Sequence, residues 1–173
     1  EQRPDFMYIL SKDIFRPRRA QKEDAVWLKK GEEYKDETLS VRAFGSTDVG
    51  VSFLLQASGK KIFHAGDLNN WHWMDESTEA EWKGAEKNFL HELDDLYAYT
   101  PEVDVAMFPV DPRLGKEYMR GAGQFVTKIK THIFVPMHFT PEYAKANAFR
   151  DFAEAHGVRF VSLTHRGQKI EIE

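Results

Sequence analysis

The sequence predicts an α/β protein with mixed sheets, and three observations support this fold class. The first half of the chain contains short segments in which apolar and polar residues alternate, as in half-buried strands joined by hairpins. The second half alternates nearly continuous apolar runs with segments of helical periodicity, as in sheets flanked by helices. The 173 residues contain no repeat and no long linker, so we expect one domain spanning residues 1–173.

Each predicted element of the first half rests on a local pattern. Residues 5–10 form an apolar run typical of a buried strand, and residues 38–44 alternate at a period of two. Residues 51–57 and 61–65 are predicted as a hairpin, because the turn-forming sequence Ser-Gly-Lys separates them. A short helix is predicted at residues 20–29.

The second half is predicted as alternating helices and strands. Residues 76–97 place Trp82, Phe89 and Leu93 at helical spacing among charged residues, which indicates an amphipathic surface helix. A nearly continuous apolar strand is predicted at residues 103–110. The remaining predicted elements are a helix at 115–130, a strand at 132–137, a helix at 141–156, and strands at 158–163 and 168–172.

Composition limits the chemistry and the partners that the chain can have. It contains no cysteine, which excludes disulfides, zinc–thiolate sites and cysteine nucleophiles, so the strong metal ligands are His, Asp and Glu. A formal net charge of −4 provides no basic field, so no nucleic-acid partner is expected. No apolar run has the length of a membrane span and residues 1–4 begin no signal peptide, so we expect a cytoplasmic protein with no membrane partner.

Four polar side chains come at the ends of predicted strands, namely those of Asp48, Asp67, Asp111 and His138. Ligands of α/β proteins bind at the carboxyl edge of the strands, so this set predicts a binding site at that edge. Three of the four residues, Asp48, Asp67 and His138, could be metal ligands there. Each residue alone also fits a structural role. An Asp after a strand often caps a turn, and a lone His is often a hydrogen-bonded structural residue.

Three segments carry a resemblance to a known family. Residues 45–53, residues 62–67 and residues 135–139 are similar, in order and spacing, to the later motifs of metallo-β-lactamase-fold hydrolases. The chain looks most like a bacterial branch with Gly-Ser-Thr-Asp, His-Ala-Gly-Asp-Leu-Asn and Phe-Pro-Val-Asp-Pro-Arg motifs. The resemblance implies an αββα sandwich of mixed sheets.

The resemblance also implies a metal-dependent hydrolase that uses a metal-activated water. Asp67 matches the family's bridging aspartate and His138 its last histidine ligand, and both are therefore the expected catalytic and metal-binding residues. Asp48 stands where the family usually has a histidine, so we expect it to complete the first metal position. The expected cofactor is a divalent metal, with zinc first and manganese or iron as alternatives.

One motif of the family is missing from these residues. The pattern His-x-His-x-Asp-His occurs nowhere in the chain, although it should precede a strand such as residues 5–10. We therefore expect the chain to be the larger, C-terminal part of the domain, incomplete at its N-terminus. On this interpretation the chain alone is inactive, and it self-associates through the surfaces that the missing segment would cover.

Residues near these motifs are candidate contacts for a small-molecule substrate. Trp71 and His72 follow Asp67 closely and could line a pocket, although aromatic packing under a loop explains them equally well. Asp111 and Arg113 lie in a loop at the same edge, where an Arg could bind a carboxylate or phosphate.

Three functions compete for this sequence. The first is a metal-dependent hydrolase of unknown substrate. The second is a non-catalytic fragment or binding module of the same fold that lacks a complete metal site. The third, a nuclease of the same superfamily, is disfavoured because the chain is acidic and has no basic stripe.

Overall fold

A computed structural model describes residues 6–14, 25–139 and 141–172. Its described residues form nine strands, which are β1 (Ile9–Ser11), β2 (Val26–Leu28), β3 (Glu33–Lys35), β4 (Leu39–Phe44), β5 (Ser52–Ala57), β6 (Lys60–His64), β7 (Glu102–Pro109), β8 (Lys130–Met137) and β9 (Arg159–Phe160). The helices of the same ranges are α1 (Glu79–Tyr99), α2 (Arg120–Lys128), α3 (Tyr143–Asn147) and α4 (Arg150–Ala155), with 3₁₀ turns at Lys12–Ile14 and Pro112–Glu117.

Seven of the strands form one mixed sheet in the order β3-β4-β5-β6-β7-β8-β9. Strands β3 to β6 pair antiparallel, and β6 to β9 pair parallel. The hairpin of β5 and β6 turns at Ser58 and Gly59, whose φ angles of 50° and 74° are those of a tight hairpin turn. Because β6, β7 and β8 are parallel, the segments that follow them emerge at the same edge of the sheet.

Two predictions of strand and helix position were wrong. The predicted helix at residues 20–29 is instead β2 over Val26–Leu28, which pairs in parallel with β1. Residues 20–24 of that prediction lie outside the described residues. Val26 is β-branched and, like Trp27, favours an extended backbone. Pairing with β1 therefore outweighs the weak helix propensity of this segment. The predicted strand at 168–172 is irregular chain.

Both long helices predicted in the second half are interrupted. The segment 115–130 begins within the 3₁₀ turn Pro112–Glu117, which is kinked at Gly115 (φ 80°), and α2 begins only at Arg120. The segment 141–156 consists of α3 and α4, with Ala148 and Phe149 between them. Periodicity located the apolar faces but could not locate these breaks.

The main core lies between the sheet and helices α1, α2 and α4. α1 starts at a capping box in which the Thr78 side chain and Glu81 satisfy each other's backbone N–H groups. On β7, Ala106 and Phe108 face this core, and Phe108 packs 4.6 Å from the ring of Phe125 in α2. Within the described residues, no helix has the length and apolar character needed to cross a membrane.

Candidate functional site

Three of the predicted site residues meet at the carboxyl edge of the parallel strands. Asp67 follows β6, Asp111 follows β7 and His138 follows β8. His138 contacts both carboxylates: its Nε2 lies 3.2 Å from Asp67 Oδ1, and its Nδ1 lies 2.9 Å from Asp111 Oδ2. The parallel order of these strands explains why residues so far apart in the sequence converge here.

Asp67 and His138 form the accessible part of the site. Their side chains are 44% and 33% exposed, respectively. The ring of Trp71 lies 5.3 Å from that of His138, at an angle of 60°. The site is therefore open to a ligand on one side and bounded by an indole on the other.

Asp111 is the buried part of the site, and its side chain is 1% exposed. Arg113 donates to it from the backbone N (3.0 Å to Oδ1), from Nε (3.0 Å to each oxygen) and from Nη2 (2.5 Å to Oδ2). Burial raises the pKa of Asp111, but the hydrogen bonds from Arg113 and His138 outweigh it and hold that pKa below 3.8. The carboxyl group is therefore ionised at neutral pH.

The loop after β6 is fixed at both ends. The indole Nε1 of Trp71 donates to the backbone oxygen of Asp67 at 2.8 Å. The hydroxyl of Thr47 donates to the carbonyl of Asn69 at 2.5 Å and accepts from the N–H of Asn69 at 3.0 Å. Gly121 of α2 closes over the side chain of Asn69, since a Cβ there would lie 2.0 Å from the amide oxygen.

His72 has a different environment from the other predicted contacts. Its ring is 1% exposed. Nδ1 accepts from the N–H of Met74 at 3.1 Å, which leaves Nε2 to donate to the carbonyl of Glu117 at 3.1 Å. Both ring nitrogens are used within the protein, so His72 is a structural residue of the loop and offers no nitrogen to a substrate.

Asp48 lies apart from the Asp67–His138 pair. Its Oδ1 accepts from the N–H of Val49 at 2.8 Å, and within the described part of the chain Asp48 forms no metal-binding group with Asp67 and His138. Asp48 and Trp71 instead line a cleft of about 530 Å³ between the 45–48 loop and α1. A second cleft of about 360 Å³ borders the opposite part of the site, where Arg113, His138 and Glu142 lie.

The donor set at this edge is small. Across the described ranges, no three His, Cys, Asp or Glu side chains form a group that could hold a metal ion. Asp67 and His138 offer two neighbouring donors, whereas a catalytic zinc takes three protein ligands. The pair has the donor chemistry of a metal centre but supplies only part of one.

Sequence reasoning did not assign roles to the residues that support the site. Thr47 and Asn69 fix the 67–70 segment, and Asn70 donates to Glu86 of α1 and to Gln124 of α2 at 3.0 and 2.9 Å. All of these contacts are between segments distant in sequence. Thr47 belongs to the Gly-Ser-Thr-Asp motif and Asn69 to the His-Ala-Gly-Asp-Leu-Asn motif, so membership of these motifs was the sequence signal that pointed to them.

No protein-family model matches the chain, and no curated protein matches it. Solved structures do match. A predicted metal-dependent hydrolase from Parabacteroides distasonis superposes with a TM-score of 0.61 at 16% identity, over 92% of this chain and 65% of its own. Igni18, a metallo hydrolase from the hyperthermophilic archaeon Ignicoccus hospitalis, superposes with a TM-score of 0.52 at 14% identity. The match covers 82% of this chain and 59% of Igni18. A predicted zinc-dependent hydrolase of the metallo-β-lactamase superfamily from Thermotoga maritima superposes with a TM-score of 0.49 at 18% identity. The match covers 85% of this chain and 67% of the Thermotoga protein.

At such identities, structural likeness shows the fold alone. The chain has a mixed α/β fold, in which a seven-stranded mixed sheet packs against helices, and the predicted α/β class is confirmed. The Parabacteroides and Ignicoccus structures share this fold. The chain spans 65% of the length of the Parabacteroides protein and 59% of the Ignicoccus protein.

Proposed function

We propose that this chain belongs to a metal-dependent hydrolase and that Asp67 and His138 supply donors to its metal centre. The observation that carries the proposal is the 3.2 Å separation of Asp67 Oδ1 and His138 Nε2 at the carboxyl edge of the parallel strands. Two of the solved structures that share the fold are a predicted metal-dependent hydrolase and a metallo hydrolase, which supports the same reaction class.

The separation of the two donors fits a shared ion. Protein ligands lie about 2.0–2.1 Å from zinc, so neighbouring ligand atoms are about 3.0–3.4 Å apart. A carboxylate oxygen and an imidazole nitrogen suit zinc, and they also accept manganese or iron. Asp48 stays a predicted further donor, supported by its position in the cleft that Trp71 also lines.

The chemistry would be hydrolysis by an activated water. A divalent ion at these donors would lower the pKa of a bound water and polarise the bond under attack. Asp67 would hold and orient the ion through its exposed carboxylate. His138 would contribute Nε2, because its Nδ1 faces Asp111. A small-molecule substrate would approach beside Trp71, the indole that borders both the 530 Å³ cleft and the ring of His138.

Metal binding tests the proposal directly. We expect the protein to bind zinc in equilibrium dialysis, and Asp67→Asn and His138→Ala each to weaken the affinity at least tenfold. His132→Ala is a matched control, because His132 lies near the start of β8, at the end opposite His138, and also pairs with a carboxylate, that of Glu102 at 2.5 Å. The control should bind zinc as the parent does.

Hydrolysis is then measured on ester, thioester, lactone and phosphodiester substrates with the zinc-loaded protein. Turnover that disappears in both site variants and persists in His132→Ala supports the hydrolase. The second candidate, a non-catalytic binding module, is favoured by the absence of a three-residue metal group among the described residues. Failure of the whole protein both to bind zinc and to hydrolyse these substrates would favour that candidate instead.

A further inference from the structure

Arg113 offers one edge of its guanidinium group to the protein and has a second edge for a ligand. The planar group carries five N–H donors, and a carboxylate that bonds to Nε and one terminal nitrogen occupies only the edge between them. Here Nε lies 3.0 Å from each oxygen of Asp111, and Nη2 lies 2.5 Å from Oδ2. The Arg113 side chain is nevertheless 64% exposed, so it still presents donors of the Nη1–Nη2 edge to solvent.

Asp111 holds the guanidinium group in one orientation. The Asp111 side chain is 1% exposed and directly follows β7, so it is a well-fixed anchor. It also accepts from the backbone N of Arg113 at 3.0 Å, which fixes the start of the same residue. A side chain that is ordered before a ligand arrives loses less conformational entropy on binding it. The exposed edge of Arg113 is therefore preorganised.

This exposed edge lies beside the proposed metal donors. Arg113 and His138 line the same cleft of about 360 Å³, which is within the range of about 300–1,000 Å³ for small-molecule pockets. Arg113 Nη2 is 3.4 Å from His138 Nδ1, and the other ring nitrogen, Nε2, is 3.2 Å from Asp67 Oδ1. Glu142 also lines the cleft, but its carboxylate lies 2.6 Å from Lys145 Nζ, which offsets its negative charge. One imidazole ring therefore separates the guanidinium group from Asp67.

We infer that Arg113 is a substrate-binding residue that selects molecules carrying a carboxylate or phosphate group near the bond to be hydrolysed. The inference rests on the proposed hydrolase for the reaction, but the anion site itself requires no metal. A guanidinium edge forms two parallel N–H···O bonds with either group. The anionic group would occupy the 360 Å³ cleft, and the reacting bond would lie beyond His138, beside Asp67. The substrate class is therefore an ester or related compound with a separate anionic group a few bonds from the reacting bond.

Binding of small anions to the metal-free protein tests the inference, because no zinc is then present to attract them. The probes are 4-fluorobenzoate, 4-fluorophenylphosphonate and the neutral 4-fluorobenzamide, and their binding is followed by ¹⁹F NMR. We expect at least one of the two anions to bind about 10- to 100-fold more tightly than the amide, since hydrogen bonds between charged groups are the stronger ones. The anion that binds more tightly shows whether the preferred group is a carboxylate or a phosphate.

Arg113→Lys is the decisive variant, because it keeps a charge beside Asp111 and removes the second edge. Its ammonium group will pair with Asp111, so anion binding should weaken at least about tenfold. Arg113→Gln removes the charge as well and should lose binding to the same extent. Lys130→Gln is the matched control: Lys130 is 69% exposed and lies 2.9 Å from Glu102, at the start of β8 and so at the end opposite His138. The control should bind each probe as the parent protein does.

Substrate preference of the zinc-loaded protein provides the second measurement. Between 4-carboxyphenyl acetate and phenyl acetate, the parent protein should prefer the anionic ester about tenfold in kcat/KM, and Arg113→Lys should abolish the preference through KM. The ratio of the two substrates is the readout, because any effect of Arg113 on Asp111 and His138 acts on both esters alike.

The outcomes separate the inference from the proposed function. Equal binding of the three probes by the parent protein overturns the inference, whether or not the protein binds zinc. Full anion affinity in Arg113→Lys also overturns it, because a charge alone then suffices, and so does an equal loss in Lys130→Gln. Hydrolysis by the zinc-loaded protein without anion binding refutes the inference and leaves the proposed function standing. Anion binding without zinc binding refutes the metal function and leaves the anion site standing.

Discussion

Replacing Gly121 by Ala should destabilise the protein through the loop that carries Asp67. A Cβ at Gly121 would lie 2.0 Å from the amide oxygen of Asn69 and 3.0 Å from the backbone N of Asn70. The oxygen must move by roughly 1.4 Å to restore an ordinary contact at 3.4 Å. Asn69 is fully buried and the second contact is backbone, so neither can simply rotate away.

The size of the effect follows from two opposing contributions. Overpacking of a buried site costs about 1–3 kcal/mol, and an approach of 2.0 Å to a buried atom falls in the upper part of that range, about 2–3 kcal/mol. Ala in place of Gly inside a helix contributes about 1 kcal/mol in the opposite direction. We therefore expect Gly121→Ala to lower the free energy of unfolding by about 1–2 kcal/mol, measured by urea denaturation followed by tryptophan fluorescence.

The chain provides a matched control and a rescue for this experiment. Gly84 lies inside α1 with no atom within 4 Å of a Cβ, so Gly84→Ala should stabilise the protein by about 0.5–1 kcal/mol. Asn69→Ser, combined with Gly121→Ala, removes the clashing oxygen and should recover about 1 kcal/mol of the loss. If Gly121→Ala is as stable as the parent, or if the serine recovers nothing, the proposed steric contact is refuted.

Two further predictions concern the pH dependence of stability and the strained residue of the site. The pKa of Glu86 is lowered from its ordinary 4.5, chiefly because Arg120 donates hydrogen bonds to the carboxylate. Because the folded pKa lies below the unfolded one, the pair stabilises the fold above about pH 4.5, and its contribution is lost as the pH falls through the folded pKa. Glu86→Gln should therefore lower the free energy of unfolding, measured by urea denaturation, by about 1–2 kcal/mol at about pH 7 and by almost nothing at about pH 3. An equal loss at both pH values would show that the charged pair is not its source. At His138, whose φ is in the left-handed region, substitution by Gly removes the backbone strain and substitution by Ala keeps it. In the metal-free protein, His138→Gly should therefore be about 1 kcal/mol more stable than His138→Ala. Equal stability of the two variants would show that the backbone is unstrained.

The central sheet could be predicted because its strands carry strong local patterns. Strands β4 to β8 fall within one or two residues of their predicted positions, since alternation, apolar runs and the Ser58-Gly59 turn are properties of the sequence itself. β2 and β3 were missed as strands because they are three residues long and depend on partners distant in the sequence. The breaks at Gly115 and Ala148 were missed because a helical pattern continues through each of them.

Three of the predicted site residues meet at one site, whereas Asp48 and His72 have other contacts, and the contacts among the three were not predicted. Sequence position correctly brings Asp67, Asp111 and His138 to one edge, because each ends a strand and the strands are parallel. Nothing in the sequence distinguishes the exposed Asp67 from the buried Asp111, since burial depends on how Arg113 folds back over the second carboxylate. Their different environments are evident only from their exposure and their distances from His138.

The contacts of the 67–72 segment connect the site to the core of the protein. Thr47 holds Asn69 from the sheet side and α2 closes over the same residue, while Trp71 bonds back to the carbonyl of Asp67. The segment therefore cannot shift without disturbing either the 45–48 loop or helix α2. His138 is fixed independently, by Asp111 from the end of β7. Asp67 and His138 are thus held by separate supports, and a variant that loosens the Gly121 contact should displace Asp67 while leaving the contact between His138 and Asp111 intact.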